Sequence, residues 1–297
     1  MIENLMWGRS LGFTSDKHPP FFGWQSYITV KLFAGNLVFY HILTPLNQII
    51  FLFFLYLLAK EILKDEKKAI ACVVLLQSVA FHSFYYKFNA NTANLAFFGA
   101  IYYVFYKILK EQKYHLYPIL ALLCAIIMLI KYSGILLIGT IGLITLITKE
   151  GRKSLRSPFL FIGIFLFFAI LTPYILHLFK QESNGAISYL IEQSEGYKWF
   201  TLPRFIGLQL LPFLPLFIAF FTVLKRKIKR SVNFEYIFLT VGFITPLALT
   251  AGYILVKQAS VGFFWLSMFY GLTPIVLLYF YEVKKQFLKT ICKIIYP

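Results

Sequence analysis

The chain has 297 residues, of which 59% are hydrophobic, 20% aromatic and 14% charged. A soluble domain carries about a quarter charged residues, and here the apolar residues come in unbroken runs with a mean hydropathy of +0.73, which excludes an ordinary soluble enzyme. The net charge of +17, from 29 Lys+Arg against 12 Asp+Glu, suggests nucleic acid only if membrane topology fails to explain it.

Near the front stands a polar cluster, Ser15-Asp16-Lys17-His18-Pro19-Pro20, followed by Phe21, Phe22 and Trp24. Two adjacent prolines predict an extended, stiff backbone that displays Asp16, Lys17 and His18. With Glu3 and Arg9 upstream, the segment offers carboxylates able to act as general base or metal ligand. Its cations suit a phosphate. The same charges also suit a surface that merely faces lipid headgroups, and the residues alone leave both readings open.

Residues 21–43 are apolar but interrupted by Lys31, Gly35, Asn36 and His41, with Trp24, Tyr27 and Tyr40 as headgroup-zone aromatics. They predict a helix lying in the interface. Nine membrane spans follow at roughly 44–60, 69–86, 92–108, 115–131, 134–148, 157–178, 205–224, 235–255 and 263–281. The expected fold is therefore all-α, a polytopic integral membrane protein. Residues 1–43 form an outer segment, 44–283 the transmembrane domain and 284–297 a basic tail.

Between the second and third spans lies Lys87-Phe88-Asn89-Ala90-Asn91-Thr92. Asn89 fits the start of a helix. Asn89, Asn91 and Asn94 together exceed what capping needs, so contacts to sugar hydroxyls or phosphate stay open. Lys131-Tyr132-Ser133-Gly134 makes a very short turn in which Lys131 is either a snorkelling anchor or a second phosphate contact. His82 and His177 lie near span ends and are weaker candidates. Residues 180–204 form the longest polar connection, with Glu182, Glu192, Glu195, Lys198, Trp199 and Arg204, and suit a lid or binding loop. Cys72, Cys124 and Cys292 show no pairable spacing and read as packing residues. No three metal ligands have a recognisable spacing.

Charge sets the orientation. The segments 60–68, 107–115, 149–157, 225–231 and 282–297 hold 20 of the 29 Lys+Arg, and the positive-inside rule makes them cytoplasmic. Runs such as Lys225-Arg226-Lys227-Ile228-Lys229-Arg230 are then topology signals, with no nucleic-acid partner. The alternation places residues 1–43, Asn89, Asn91 and Lys131 outside. No span precedes residue 43, so the expectation is a chain lacking a first transmembrane helix that its relatives possess.

Asp16-Lys17-His18-Pro19-Pro20-Phe21-Phe22-Gly23-Trp24 resembles the KHPPL-x-x-W signature of GT-C type glycosyltransferases. The resemblance is to the branch that holds glycosyltransferase family 39-like and rhizobial galacturonosyltransferase-like proteins, related to aminoarabinose transferases and protein mannosyltransferases. Phe88-Asn89-Ala90-Asn91-Thr92 resembles their NANT turn and Lys131-Tyr132-Ser133-Gly134 their KY-x-G/A step, in the same order. The likeness spans roughly 17–134; beyond about 200 only hydropathy and a stretch near Lys257 and Trp265 resemble the pattern.

The resemblance implies transfer of a sugar from a polyprenyl-phosphate donor to a hydroxyl of a glycolipid, polymer or protein acceptor at the external face of a cell membrane, such as a bacterial inner membrane. It implies Glu3 and Asp16 as carboxylates of the reaction. Arg9, Lys17, His18, Asn89, Asn91 and Lys131 would hold substrate, and a cation or divalent metal would stabilise the leaving phosphate. Aminoarabinose transferases carry Glu-Lys where this chain has Lys17-His18, so their metal site is not implied. Two other classes compete: a shortened, inactive homologue that binds carrier lipid or partner proteins, and a transporter. The latter predicts paired broken helices and intramembrane charge pairs, which the sequence does not show.

Overall fold

A computed structural model of the chain describes residues 2–13, 18–77, 87–180, 201–257 and 266–288. Its helices are α1 (Ile2–Gly8), α2 (Phe21–Leu32), α3 (Val38–Leu63), α4 (Glu66–Gln77), α5 (Ala90–Lys110), α6 (Tyr117–Ile130), α7 (Gly134–Ile147), α8 (Lys149–Ser154), α9 (Pro158–Lys180), α10 (Thr201–Leu210), α11 (Leu214–Val223), α12 (Phe234–Lys257) and α13 (Thr273–Phe280). Two short strands, β1 (Leu224–Lys227) and β2 (Tyr281–Val283), pair antiparallel. The architecture is helical and membrane-spanning, as composition dictates.

Among the described residues four helices, α3, α5, α9 and α12, are long and apolar enough to cross a membrane. They coincide with the predicted spans 44–60, 92–108, 157–178 and 235–255. The α6 and α7 regions are shorter apolar helices. The predicted span 205–224 is divided between α10 and α11 by a 3-10 turn at Leu211–Phe213, because Pro212 and Pro215 lack the N–H that a continuous helix requires. Parts of 69–86 and 263–281 lie outside the described residues. Four of the nine predicted spans thus correspond to long apolar helices among the described residues.

The interfacial segment also divides differently from the expectation. The break at Gly35 is present, with Ala34 and Gly35 at positive φ, but the next helix begins at Val38 and runs unbroken to Leu63. Pro20 has helical dihedrals (φ −79°, ψ −17°) and caps α2. The second proline thus opens a helix instead of extending a stiff arm, since a φ near −65° suits a helix start.

Helix α5 is the central element, and most of its side chains are buried. Its aromatic residues knit the core. The Phe98 ring lies 4.8 Å from Tyr102 and 5.2 Å from Phe269, and Tyr106 lies 5.4 Å from Phe238. The buried Tyr102 hydroxyl donates 3.0 Å to the Gly242 carbonyl of α12, which spares it the cost of an unpaired polar group. By contrast α9 leaves Phe161, Phe165 and Phe179 exposed, the surface expected against lipid.

The basic loops gather at the C-terminal end of α5. Lys107 pairs with Glu61 at 3.1 Å, Lys110 with Glu235 at 2.6 Å and Arg226 with Glu282 at 2.7 Å. Lys153 Nζ donates 2.7 Å to Gln112 Oε1, and Arg230 Nε donates 3.0 Å to the Tyr279 carbonyl. Burial alone would raise the Glu111 pKa, but the neighbouring Lys107 and Lys113 ammoniums bring it below the ordinary carboxylate value. The Arg226 guanidinium does the same for Glu282. The few acids thus tie the cationic loops together, and the N-terminal segments collect at the other end.

Cys72 and Cys124 are buried and free, consistent with packing roles; Cys292 lies outside the described residues.

Candidate functional site

The helix start predicted at Asn89 is present in full. Asn89 is extended (φ −154°, ψ 179°), and its Oδ1 accepts from the backbone N–H groups of Asn91 at 2.8 Å and Thr92 at 3.2 Å. The Asn89 N–H donates 2.9 Å to Thr92 Oγ1, closing a reciprocal capping box. The Asn89 carboxamide oxygen is thereby committed to ordering the helix.

Asn91 points elsewhere. Its Oδ1 accepts a 2.6 Å hydrogen bond from Lys131 Nζ, across 40 residues of chain. Lys131 ends α6 with extended dihedrals (φ −158°, ψ 135°), and its side chain is only 8% exposed. That burial replaces the snorkelling anchor with a fixed internal cation. A tight return follows, in which the Gly134 N–H donates 2.9 Å to the Lys131 carbonyl. A Cβ on Gly134 would stand 3.1 Å from the Ile127 side chain and 3.2 Å from its carbonyl. This crowding explains the small residue at that step.

A second network fastens the N-terminus to the same place. Asn4, buried on α1, donates from Nδ2 to the Tyr40 hydroxyl at 2.8 Å and to the Phe88 carbonyl at 3.1 Å. The Tyr40 hydroxyl donates to that carbonyl at 3.1 Å. Helices α1 and α2 cross at Gly8 and Gly23, where a Cβ on Gly8 would meet the Gly23 carbonyl. Beneath them Phe22, Tyr40, Leu43, Phe88, Ala90 and Ile130 form one apolar cluster. Each of the three resembling segments, or its direct neighbour, contributes to it.

His18 is half-buried, with its ring edge-on to Trp7 (6.3 Å) and Phe22 (5.6 Å). Trp24 Nε1 donates 2.9 Å to the Gly12 carbonyl, which holds Phe13 5.5 Å from His177. The Tyr132 and Tyr174 hydroxyls share a 2.7 Å hydrogen bond. The end of α9 therefore joins the same region.

Of the candidates named from sequence, the structure brings His18, Asn89, Asn91 and Lys131 to one end of the bundle. Glu3 and Arg9 are on the adjoining α1 and 3-10 turn, with exposed side chains. Asp16 and Lys17 lie outside the described residues, as do His82 and the loop 181–200. Asn4 carried no signal in the sequence, because its importance arises from partners 36 and 84 positions away. Asn94, one turn beyond Asn91, is fully buried, and neither polar atom of its amide has a partner.

Among the described residues no group of three His, Cys, Asp or Glu side chains could hold a metal ion. The polar groups present at this end, an ammonium and several carboxamides, suit an anion.

The family model described as dolichyl-phosphate-mannose-protein mannosyltransferase matches residues 17–177, more than half of the chain. The match contains His18, Asn91 and Lys131 and ends within α9; Glu3, Arg9 and Asp16 precede it. No curated protein and no solved structure matches the chain. The chain belongs to the dolichyl-phosphate-mannose-protein mannosyltransferase family, among the GT-C glycosyltransferases.

Proposed function

We propose that the chain transfers one sugar from a polyprenyl-phosphate donor to an acceptor hydroxyl at the end of the bundle where Asn91 and Lys131 meet. The buried Lys131–Asn91 hydrogen bond carries this reading, since it builds a positioned cation from two segments inside the family match. The acceptor is a glycolipid, polymer or protein. This end faces the external side of a cell membrane, a reading supported by the basic loops gathered at the opposite end.

The reaction is a displacement at the anomeric carbon. A carboxylate, Glu3 or Asp16, takes the proton of the acceptor hydroxyl as its oxygen bonds to that carbon. The carbon–oxygen bond to phosphate breaks, and polyprenyl phosphate leaves with the electron pair. Negative charge grows on the phosphate oxygen, so a fixed ammonium binds the transition state more strongly than the ground state. Lys131 would supply that charge, with Lys17, Arg9 and protonated His18 as further phosphate contacts. Asn91 holds the Lys131 ammonium in place.

An inactive, lipid-binding homologue remains the second reading, favoured by the exposure of Glu3 beside the buried Asn4. Membranes containing the protein, supplied with radiolabelled polyprenyl-phosphate sugars, separate the two. Transfer that is lost in Glu3→Gln at unchanged protein level supports the enzyme; binding of the donor without any transfer supports the homologue. Cysteine labelling from either side of sealed vesicles tests the assigned face.

A further inference from the structure

The opposite end of the bundle holds a second polar site. A cavity of about 520 Å³ is lined by Tyr114, His115, Lys153, Arg156, Ser157 and Phe159, among others, with no acidic residue in its wall. Ser157 is 5% exposed and its hydroxyl has no hydrogen-bond partner; the buried Tyr114 hydroxyl has none either. Ser157 immediately precedes the 23-residue helix α9, which opens on Pro158 and whose dipole favours an anion at this end. Lys153 is already steadied by Gln112.

Next to this pocket an apolar groove of about 510 Å³ runs between α6, α7 and α9, lined by Tyr117, Cys124, Ile141, Thr145, Leu160 and Phe167, among others. The two cavities are continuous in the chain. Leu155 and Leu160 belong to the groove, and Arg156 to Phe159 between them belong to the pocket. Leu146, Ile164 and Phe168 on the groove wall are exposed.

We propose that these paired cavities bind one anionic phospholipid from the leaflet at the basic end. Its phosphate sits among Lys153, Arg156, Ser157 and the α9 N-terminus, and an acyl chain fills the groove. A free phosphate compound would use the pocket but leave the groove without purpose. A zwitterionic lipid would bring a second cation to Lys153 and Arg156. Basic pockets between transmembrane helices recognise acidic headgroups in this way.

Native mass spectrometry of the purified full-length protein tests the assignment, with dioleoyl phosphatidylglycerol and dioleoyl phosphatidylcholine added in turn. Phosphatidylglycerol is expected to be retained at one molecule per chain, in preference to phosphatidylcholine. Lys153→Gln with Arg156→Gln should weaken retention about 30-fold, the effect of two lost cations at a lipid surface. Gly142→Leu places a side chain in the groove where a Cβ meets nothing within 4 Å. It should displace the lipid while the protein stays monodisperse and folded. Equal retention of the two lipids, unchanged retention in both variants, or displacement by millimolar inorganic phosphate would overturn the proposal.

Discussion

Lys131 Nζ donates a 2.6 Å hydrogen bond to Asn91 Oδ1, joining the end of α6 to the first turn of α5. The bond fixes a buried ammonium relative to the helix cap made by Asn89 and Thr92. If Lys131 stabilises the leaving phosphate, Lys131→Met should lower transfer about 10²–10³-fold, the usual cost of removing one preorganised donor. Asn91→Ala acts through Lys131, so adding it to Lys131→Met should cost little more. Rates of the two single variants and the double variant check this. Additive losses would show that the residues act separately.

Asn4 anchors α1 by donating to both Tyr40 and the Phe88 carbonyl. Asn4→Leu leaves these buried groups with fewer partners and should destabilise the fold by about 1–3 kcal/mol. Gly8→Val should act in the same direction by forcing α1 off Gly23. Thermal unfolding followed by intrinsic fluorescence in a mild detergent reads both effects. An unchanged Tm in both would mean that α1 is not docked as described.

Asn94 presents the opposite case. Its amide is buried with neither polar atom paired, an arrangement that costs stability and is tolerated where function requires it. Asn94→Leu is expected to keep or raise the Tm and to reduce transfer. A variant with full activity would assign Asn94 to packing alone.

The basic end gives a pH dependence with a definite sign. Glu111 and Glu282 have pKa values below the ordinary carboxylate value, so their contribution is fully present above the unfolded pKa, about 4.3. It is lost as pH falls through the lowered folded values. The Tm should therefore drop on acidification below that point, and Glu111→Gln with Glu282→Gln should flatten the drop. An identical acid profile in the double variant would contradict the assignment.

How much of this was legible in the sequence depended on the range of the interaction. The cap at Asn89 could be read because its partners lie two and three residues away, and the break at Gly35 because its cause is local. Burial of Lys131 could not be read, since it depends on Asn91 and on the packing around Ile130. The Asn4–Tyr40–Phe88 network and the Tyr132–Tyr174 pair escaped for the same reason. Hydropathy located the long spans α3, α5, α9 and α12 but passed over Pro212 and Pro215, which divide one apolar run into two helices. It also missed the β1–β2 pair, where Arg226 meets Glu282 across 56 residues.

The central claim is that the end of the bundle holding Lys131 consumes a lipid-linked sugar. Its most direct measurement is donor turnover by the purified chain in liposomes, with polyprenyl-phosphate sugar labelled in the sugar. The label should leave the lipid in the presence of the native chain and an acceptor, and should remain on it with Lys131→Met at equal folded protein. Loss of label at the same rate in the two proteins, or none in the native chain across the donors and acceptors supplied, would contradict the account.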